Sequence, residues 1–173
     1  MDKILNMKNL SLVLMLAAIS VFLWGCPYKS MVPLSTPIEY VNKQVLGKCI
    51  PESEESKANP EYYLIAKNDT VSYNVDHFQY NEEDSSYSAK SYVCWTTRVK
   101  NIMFMNVQQY GQKEVMLYRL DVMGDDLMVL YQVTSNIDEK FDNSEDMYEF
   151  FKQHMKLSFF YNSDEIKLIK ILN

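Results

Sequence analysis

Residues 114–133 read EVMLYRLDVMGDDLMVLYQV. In the first half the even positions, Met116, Tyr118, Leu120 and Val122, are apolar or aromatic, with Arg119 and Asp121 between them. In the second half the odd positions, Leu127, Val129, Tyr131 and Val133, stand against Asp126 and Gln132. Successive side chains of a strand point to opposite faces, so each half predicts a strand with one buried face. Met123-Gly124-Asp125-Asp126 supplies a glycine-bearing turn between them, and the pair predicts an antiparallel hairpin.

The same alternation extends outward along the chain. Val71–Gln79 sets Val71, Tyr73 and Val75 on one face and Ser72, Asn74 and Asp76 on the other. Further strands are predicted at Val45–Ile50, Glu61–Lys67, Ser91–Val99, Asn101–Gln108 and Ile166–Leu172, with turns at Asn68-Asp69 and Asn81–Ser86. One helix, at about 143–156, breaks the pattern. Asn143 or Ser144 can cap it, Glu145 and Asp146 sit near its positive dipole end, and Met147, Phe150, Phe151 and Met155 form an apolar stripe. Meandering strands, then a helix, then a closing strand predict a mainly β fold. The expected form is an antiparallel up-and-down barrel with the helix packed outside.

The amino-terminal residues follow a different logic. Lys3 and Lys8 precede an apolar run from Leu10 to Trp24, fifteen residues long. A membrane-spanning helix needs roughly 20, so the run reads as a signal peptide over residues 1–25. It ends in Leu23-Trp24-Gly25-Cys26, which resembles the lipobox of bacterial lipoproteins. That resemblance implies cleavage before Cys26 and lipidation of its thiol with palmitate-type acyl chains. Stable anchoring takes more than one such chain. Residues 26–44, with Pro27, Pro33 and Pro37 among serines and threonines, are expected to form an extended tether. Residues 45–173 are then the barrel domain.

Composition narrows the partners. Removing residues 1–25 takes Lys3, Lys8 and Asp2 from the 17 cationic and 23 anionic side chains, leaving a net charge of −7. Nucleic acid, which needs a basic patch, is excluded as a partner on that ground. Leu46-Gly47-Lys48-Cys49 resembles the Gly-x-Trp opening of lipocalin-like proteins, with Cys49 in place of the tryptophan. With Gly25-Cys26, Met103–Val107 (MFMNV) and Asn136–Phe151 (NIDEKFDNSEDMYEFF), the chain resembles small lipocalin-like lipoproteins of Gram-negative bacteria. The resemblance implies a cell-envelope location, lipid-anchored at the outer membrane, with the leaflet left open.

Candidate site residues are few. Continued alternation from Val75 places His77 on the inner face of its strand, as a ligand contact or a hydrogen-bonded core histidine. Tyr73, Trp95, Met103, Met105 and Tyr131, with Tyr62, Tyr63 and Tyr92, are abundant enough either to line an apolar pocket or to fill the barrel. Cys49 and Cys94 form a disulfide or sit apart as buried thiols. Asn68-Asp69-Thr70-Val71 carries a glycosylation-like pattern with Thr70 as acceptor, or is simply a turn. Glu82-Glu83-Asp84 lacks calcium-loop spacing, and the histidines lack zinc-ligand spacing, so no metal or cofactor is expected. No nucleophile elbow or phosphate loop occurs. The expectation is a membrane-tethered, non-enzymatic barrel that binds a small apolar ligand or an envelope component. The alternative is a structural or interaction subunit of an envelope assembly, with a filled barrel.

Overall fold

The structure, a computed structural model, describes residues 27–171. The expected signal peptide and lipidated Cys26 lie outside the described residues, as does the end of the final predicted strand.

The hairpin at 114–133 forms as expected, from strands β7 (Val115–Met123) and β8 (Leu127–Val133), with Leu120 opposite Leu130. Gly124 sits at φ +69°, in the left-handed region that its lack of a Cβ makes accessible, and closes the turn. Ahead of it lie β2 (Gly47–Pro51), β3 (Tyr62–Lys67), β4 (Tyr73–Asn81), β5 (Ser86–Val99) and β6 (Ile102–Gln109). The last strand is β9 (Tyr161–Lys170), preceded by helix α1 (Ser144–His154). Each strand from β2 to β9 pairs antiparallel with the next, and β9 pairs back with β2 through Ile50 opposite Ile169. The result is a closed eight-stranded up-and-down barrel, with every barrel strand paired on both sides. A short outer strand, β1 (Lys29–Ser30), pairs with the start of β7.

Two apolar cores follow from the alternation. Inside the barrel lie Val45, Cys49, Ile65, Tyr73, Val75, Cys94, Met105, Leu120, Met128 and Leu168. Outside it, Trp95, Val99, Phe104, Val115, Leu117 and Val133 from the wall meet Met147, Phe151 and Met155 of α1. Asn143 caps the helix by accepting the Asp146 N–H at 2.9 Å, and Ser144 Oγ donates to the Pro33 carbonyl at 2.8 Å. Phe151 packs edge-on to Phe104 and Phe160, with ring centroids at 5.2 and 4.9 Å.

This double core corrects one sequence expectation. The inward face of β8 is Met128 and Leu130, whereas Val133, of the odd set expected to share one buried face with Leu127, Val129 and Tyr131, points to the helix side. Both faces of β8 carry apolar residues because one meets the barrel interior and the other is covered from outside. Alternation alone cannot choose between them.

A second correction concerns residues 26–44. The described part, from residue 27, is not a solvated tether. Tyr28 and Leu34 are buried against the outer wall. Tyr28 N–H donates to the Val133 carbonyl at 3.0 Å, and Leu34 N–H donates to Asn106 Oδ1 at 2.9 Å. The Trp95 indole donates to the Ser35 carbonyl at 2.7 Å. Further on, Lys43–Val45 forms a 3₁₀ turn that pushes Val45 into one end of the barrel. That plug is tied down by Asn42 N–H donating to the Tyr73 hydroxyl at 2.8 Å and by Lys170 Nζ donating to the Gln44 carbonyl at 2.9 Å. Proline-rich composition forbade helix here, but it did not forbid extended backbone pressed onto a wall.

Among the described residues no helix is long and apolar enough to cross a membrane.

Candidate functional site

With one end plugged, the remaining interior space opens toward the other end, where β4 finishes and β5 begins. The inward residues of β3, β4, β5 and β7 at this end are Tyr63, His77, Tyr92 and Tyr118. They surround a cavity of about 300 Å³ whose deeper walls are Ile65, Val75, Cys94, Met105, Leu130 and Leu168. A second hollow of about 340 Å³ lies at the rim, sharing Tyr63 and Ile166 with the first and bounded by Glu52, Glu61, Glu165 and Lys167. An apolar pocket with a few converging polar groups is the usual form of a small-molecule site.

The polar groups of the cavity are ordered by their neighbours. His77 stacks on Tyr63, with centroids 4.3 Å apart and planes within 8°. Its Nε2 lies 3.3 Å from Glu61 Oε1. The two groups are in close contact without an aligned hydrogen bond. Tyr63 donates to the same carboxylate at 3.4 Å, and Gln79 Nε2 donates to its other oxygen at 3.1 Å. Tyr118 accepts from Gln132 Nε2 at 2.9 Å. Burial raises the pKa of Tyr63, Tyr92 and Tyr118, with the Glu61 charge adding to the effect on Tyr63. All three phenols are neutral O–H donors at ordinary pH.

The sequence-derived candidates divide three ways. His77 and Met105 line the cavity, as do Tyr63 and Tyr92. Tyr73 and Met103 belong to the barrel core near the plug, away from the cavity, and the Tyr73 hydroxyl is engaged by Asn42. Trp95 and Tyr131 are corrections. Trp95 belongs to the outer core beneath the amino-terminal segment, and Tyr131 stands outside beside Arg119, whose guanidinium lies 5.0 Å from its ring, and Tyr161. Tyr62 is also outside, stacked on Phe78 at 4.5 Å. Met116 and Tyr118 of the cavity wall were already on the inward face read from the sequence, but nothing in that reading singled them out as site residues. Their role follows from which end of the barrel stays open.

Cys49 and Cys94 are separate buried thiols. They sit on β2 and β5, three strands apart, and adjacent strands are already ~4.8 Å apart. A bridge needs Cα atoms within roughly 4.4–6.8 Å, so no disulfide links them. Burial pushes the Cys49 pKa up to about 11 and that of Cys94 higher still. Thr70 is exposed in the β3–β4 turn, where its carbonyl accepts the Val41 N–H at 3.0 Å. His154 is half-buried on α1, stacked on Phe150 at 4.2 Å. Among the described residues no group of three or more His, Cys, Asp or Glu side chains is placed to hold a metal ion.

A larger hollow of about 550 Å³ lies on the outer wall between Tyr28–Met31 and the loop from Ser135 to Asp142. Five of its lining side chains, Lys29, Asp138, Glu139, Lys140 and Asp142, are of charged types, which suits solvent better than an apolar guest. Comparison of the chain with protein-family models, with curated proteins and with solved structures finds no match.

Proposed function

We propose that this protein is a lipid-anchored, non-catalytic barrel of the bacterial cell envelope that binds one small apolar molecule through the open end. The observation that carries the binding reading is the cavity of about 300 Å³ in the barrel interior, floored by apolar side chains and rimmed by tyrosines. At the ~30 Å³ a water molecule occupies in the liquid, this is room for about ten water-sized groups. The anchor rests on the Leu23–Cys26 sequence and its small residue before the cysteine. The placement at the outer membrane rests on the resemblance to envelope lipoproteins.

Titration with indole, followed by NMR of labelled methionine methyls, tests the binding. Met105 and Met116, which line the cavity, should shift saturably while exposed Met123 does not. Ile65→Trp, which fills the cavity, should abolish the shifts. Intact mass measurement should find the mature chain beginning at an acylated Cys26, and Cys26→Ala should lose the membrane fraction. A second reading, an interaction subunit of an envelope assembly, draws on exposed Ile38 and Tyr40 in the amino-terminal segment. Unmoved Met105 and Met116 signals would put that reading first.

A further inference from the structure

The lining of the cavity contains no lysine, arginine, aspartate or glutamate. Charge begins only at the rim, where Glu52, Glu61 and Glu165 outnumber Lys167. That ammonium is already committed, 3.1 Å from Glu165 and 3.5 Å from Glu52. The one imidazole on the lining faces Glu61 at 3.3 Å. An anionic guest would therefore pass a negatively biased rim and be desolvated with no free cation to receive it. Burying an unpaired carboxylate is far more costly than burying a neutral polar group.

Two phenol donors, by contrast, have no oxygen or nitrogen acceptor among the described residues. Tyr63 gives its proton to Glu61, whereas among the described residues the Tyr118 hydroxyl donates to the Met116 thioether, a weak acceptor, at 4.0 Å. The Tyr92 hydroxyl makes no hydrogen bond to any other described residue. Both phenols line the cavity, and Tyr92 lies close enough to add to the upward shift of Tyr118. A donor on an apolar lining that has no strong acceptor of its own is a place where a guest oxygen gains a hydrogen bond.

We infer that the cavity selects an uncharged amphiphile, whose hydroxyl or carbonyl oxygen accepts from Tyr92 and Tyr118 while its hydrocarbon body lies against Ile65, Val75 and Leu168. Anionic analogues of the same length, fatty-acid carboxylates included, are rejected. This rests on the reading of the barrel as a ligand binder.

The test uses the full lipidated chain in lipid nanodiscs, with octanol, octanoate and octylamine titrated against the Met105 and Met116 methyl signals. Because the readout is local to the cavity, partition of the probes into lipid does not mimic binding. Octanol should bind at least tenfold more tightly than octanoate or octylamine at pH 7. Tyr92→Phe and Tyr118→Phe should each weaken octanol about three- to tenfold, the loss expected for one hydrogen bond. Glu61→Gln should raise the affinity for octanoate relative to that for octanol. Octanoate equal to octanol overturns the selectivity. Octylamine tighter than octanol overturns it too, making Glu61 a counter-ion for a basic guest. If indole binds but the phenylalanine variants leave octanol untouched, the oxygen assignment falls and the binding reading survives. If no probe moves the methyl signals, the binding reading itself falls.

Discussion

Asn106 shows how much one polar side chain decides in this molecule. It is fully buried on the outer wall of β6, where Oδ1 accepts from Leu34 N–H at 2.9 Å. Its Nδ2 donates to Thr97 Oγ1 at 2.9 Å and to the Trp95 carbonyl at 3.2 Å. A single amide thereby pins the amino-terminal segment to two strands. Leaving a buried donor or acceptor unpaired costs about 1–3 kcal/mol, and Asn106→Leu strands more than one such group. The expected loss is roughly 3 kcal/mol in unfolding free energy, read from the denaturant midpoint. The same variant should speed trypsin cleavage after Lys29 under native conditions, because the segment is released before the barrel unfolds. In the sequence Asn106 is simply one polar residue in an apolar run. Its partners come from residues 9 to 72 positions away, so no local pattern could flag it. His77 is the opposite case, since strict alternation from Val75 placed it inside the barrel correctly.

At the scale of the element, α1 is the clearest success of sequence reading and also the most direct test of packing. Its cap, acidic first turn and apolar stripe are all local, and the observed Ser144–His154 falls within the predicted 143–156. Adjacent helical positions differ by ~100°, so Phe150 and Phe151 are not equivalent. Phe151 is buried against Phe104 and Phe160, while Phe150 is half-buried between Phe141 and His154. Phe151→Ala is expected to cost about 4 kcal/mol, within the range for truncating a buried phenylalanine. Phe150→Ala should cost roughly half as much. Glu149→Ala removes only an exposed pair with Lys152 and should stay within about 0.5 kcal/mol of wild type. Chemical denaturation of the three variants checks the ranking, and equal effects at positions 150 and 151 would contradict the packing. The strands were less completely legible. β5 begins at Ser86, five residues before its predicted start at Ser91, and β9 begins at Tyr161 instead of Ile166. Neither extension has a buried face, as in the exposed Ser86-Tyr87-Ser88-Ala89-Lys90. They are strands because a neighbour pairs with them, not because one face is buried.

For the molecule as a whole, the abundance of buried phenols and thiols sets its response to alkali. Burial raises Cys49 from 9.0 to about 11 and Tyr161 from 10.0 to about 12, and it raises Tyr63 and Tyr118 as well. In each case the unfolded chain gives up its proton at lower pH than the folded one. Stability from these groups is therefore fully present below about pH 9 and declines as pH rises through 11 and 12. The denaturant midpoint should be flat across neutral pH and fall above pH 9. Tyr161→Phe should make the fall shallower between pH 10 and 12, and an unchanged slope would show that this phenol ionises alike in both states.

Periodicity, capping and turn chemistry determined that this chain makes a closed meander of strands with one late helix, because those signals lie within a few residues of one another. They also determined that Tyr73, Val75 and His77 of β4 share one face, as do Met116, Tyr118, Leu120 and Val122 of β7. Tertiary structure alone decided the rest. It chose the inner face of β8, turned an expected tether into a strap and a plug, and moved Trp95 and Tyr131 to the outside wall. Each of these outcomes depends on what covers a surface, and the covering residues lie far away in the chain. The cavity belongs to the same class: it lies toward the end of the barrel opposite the one that Val45 fills.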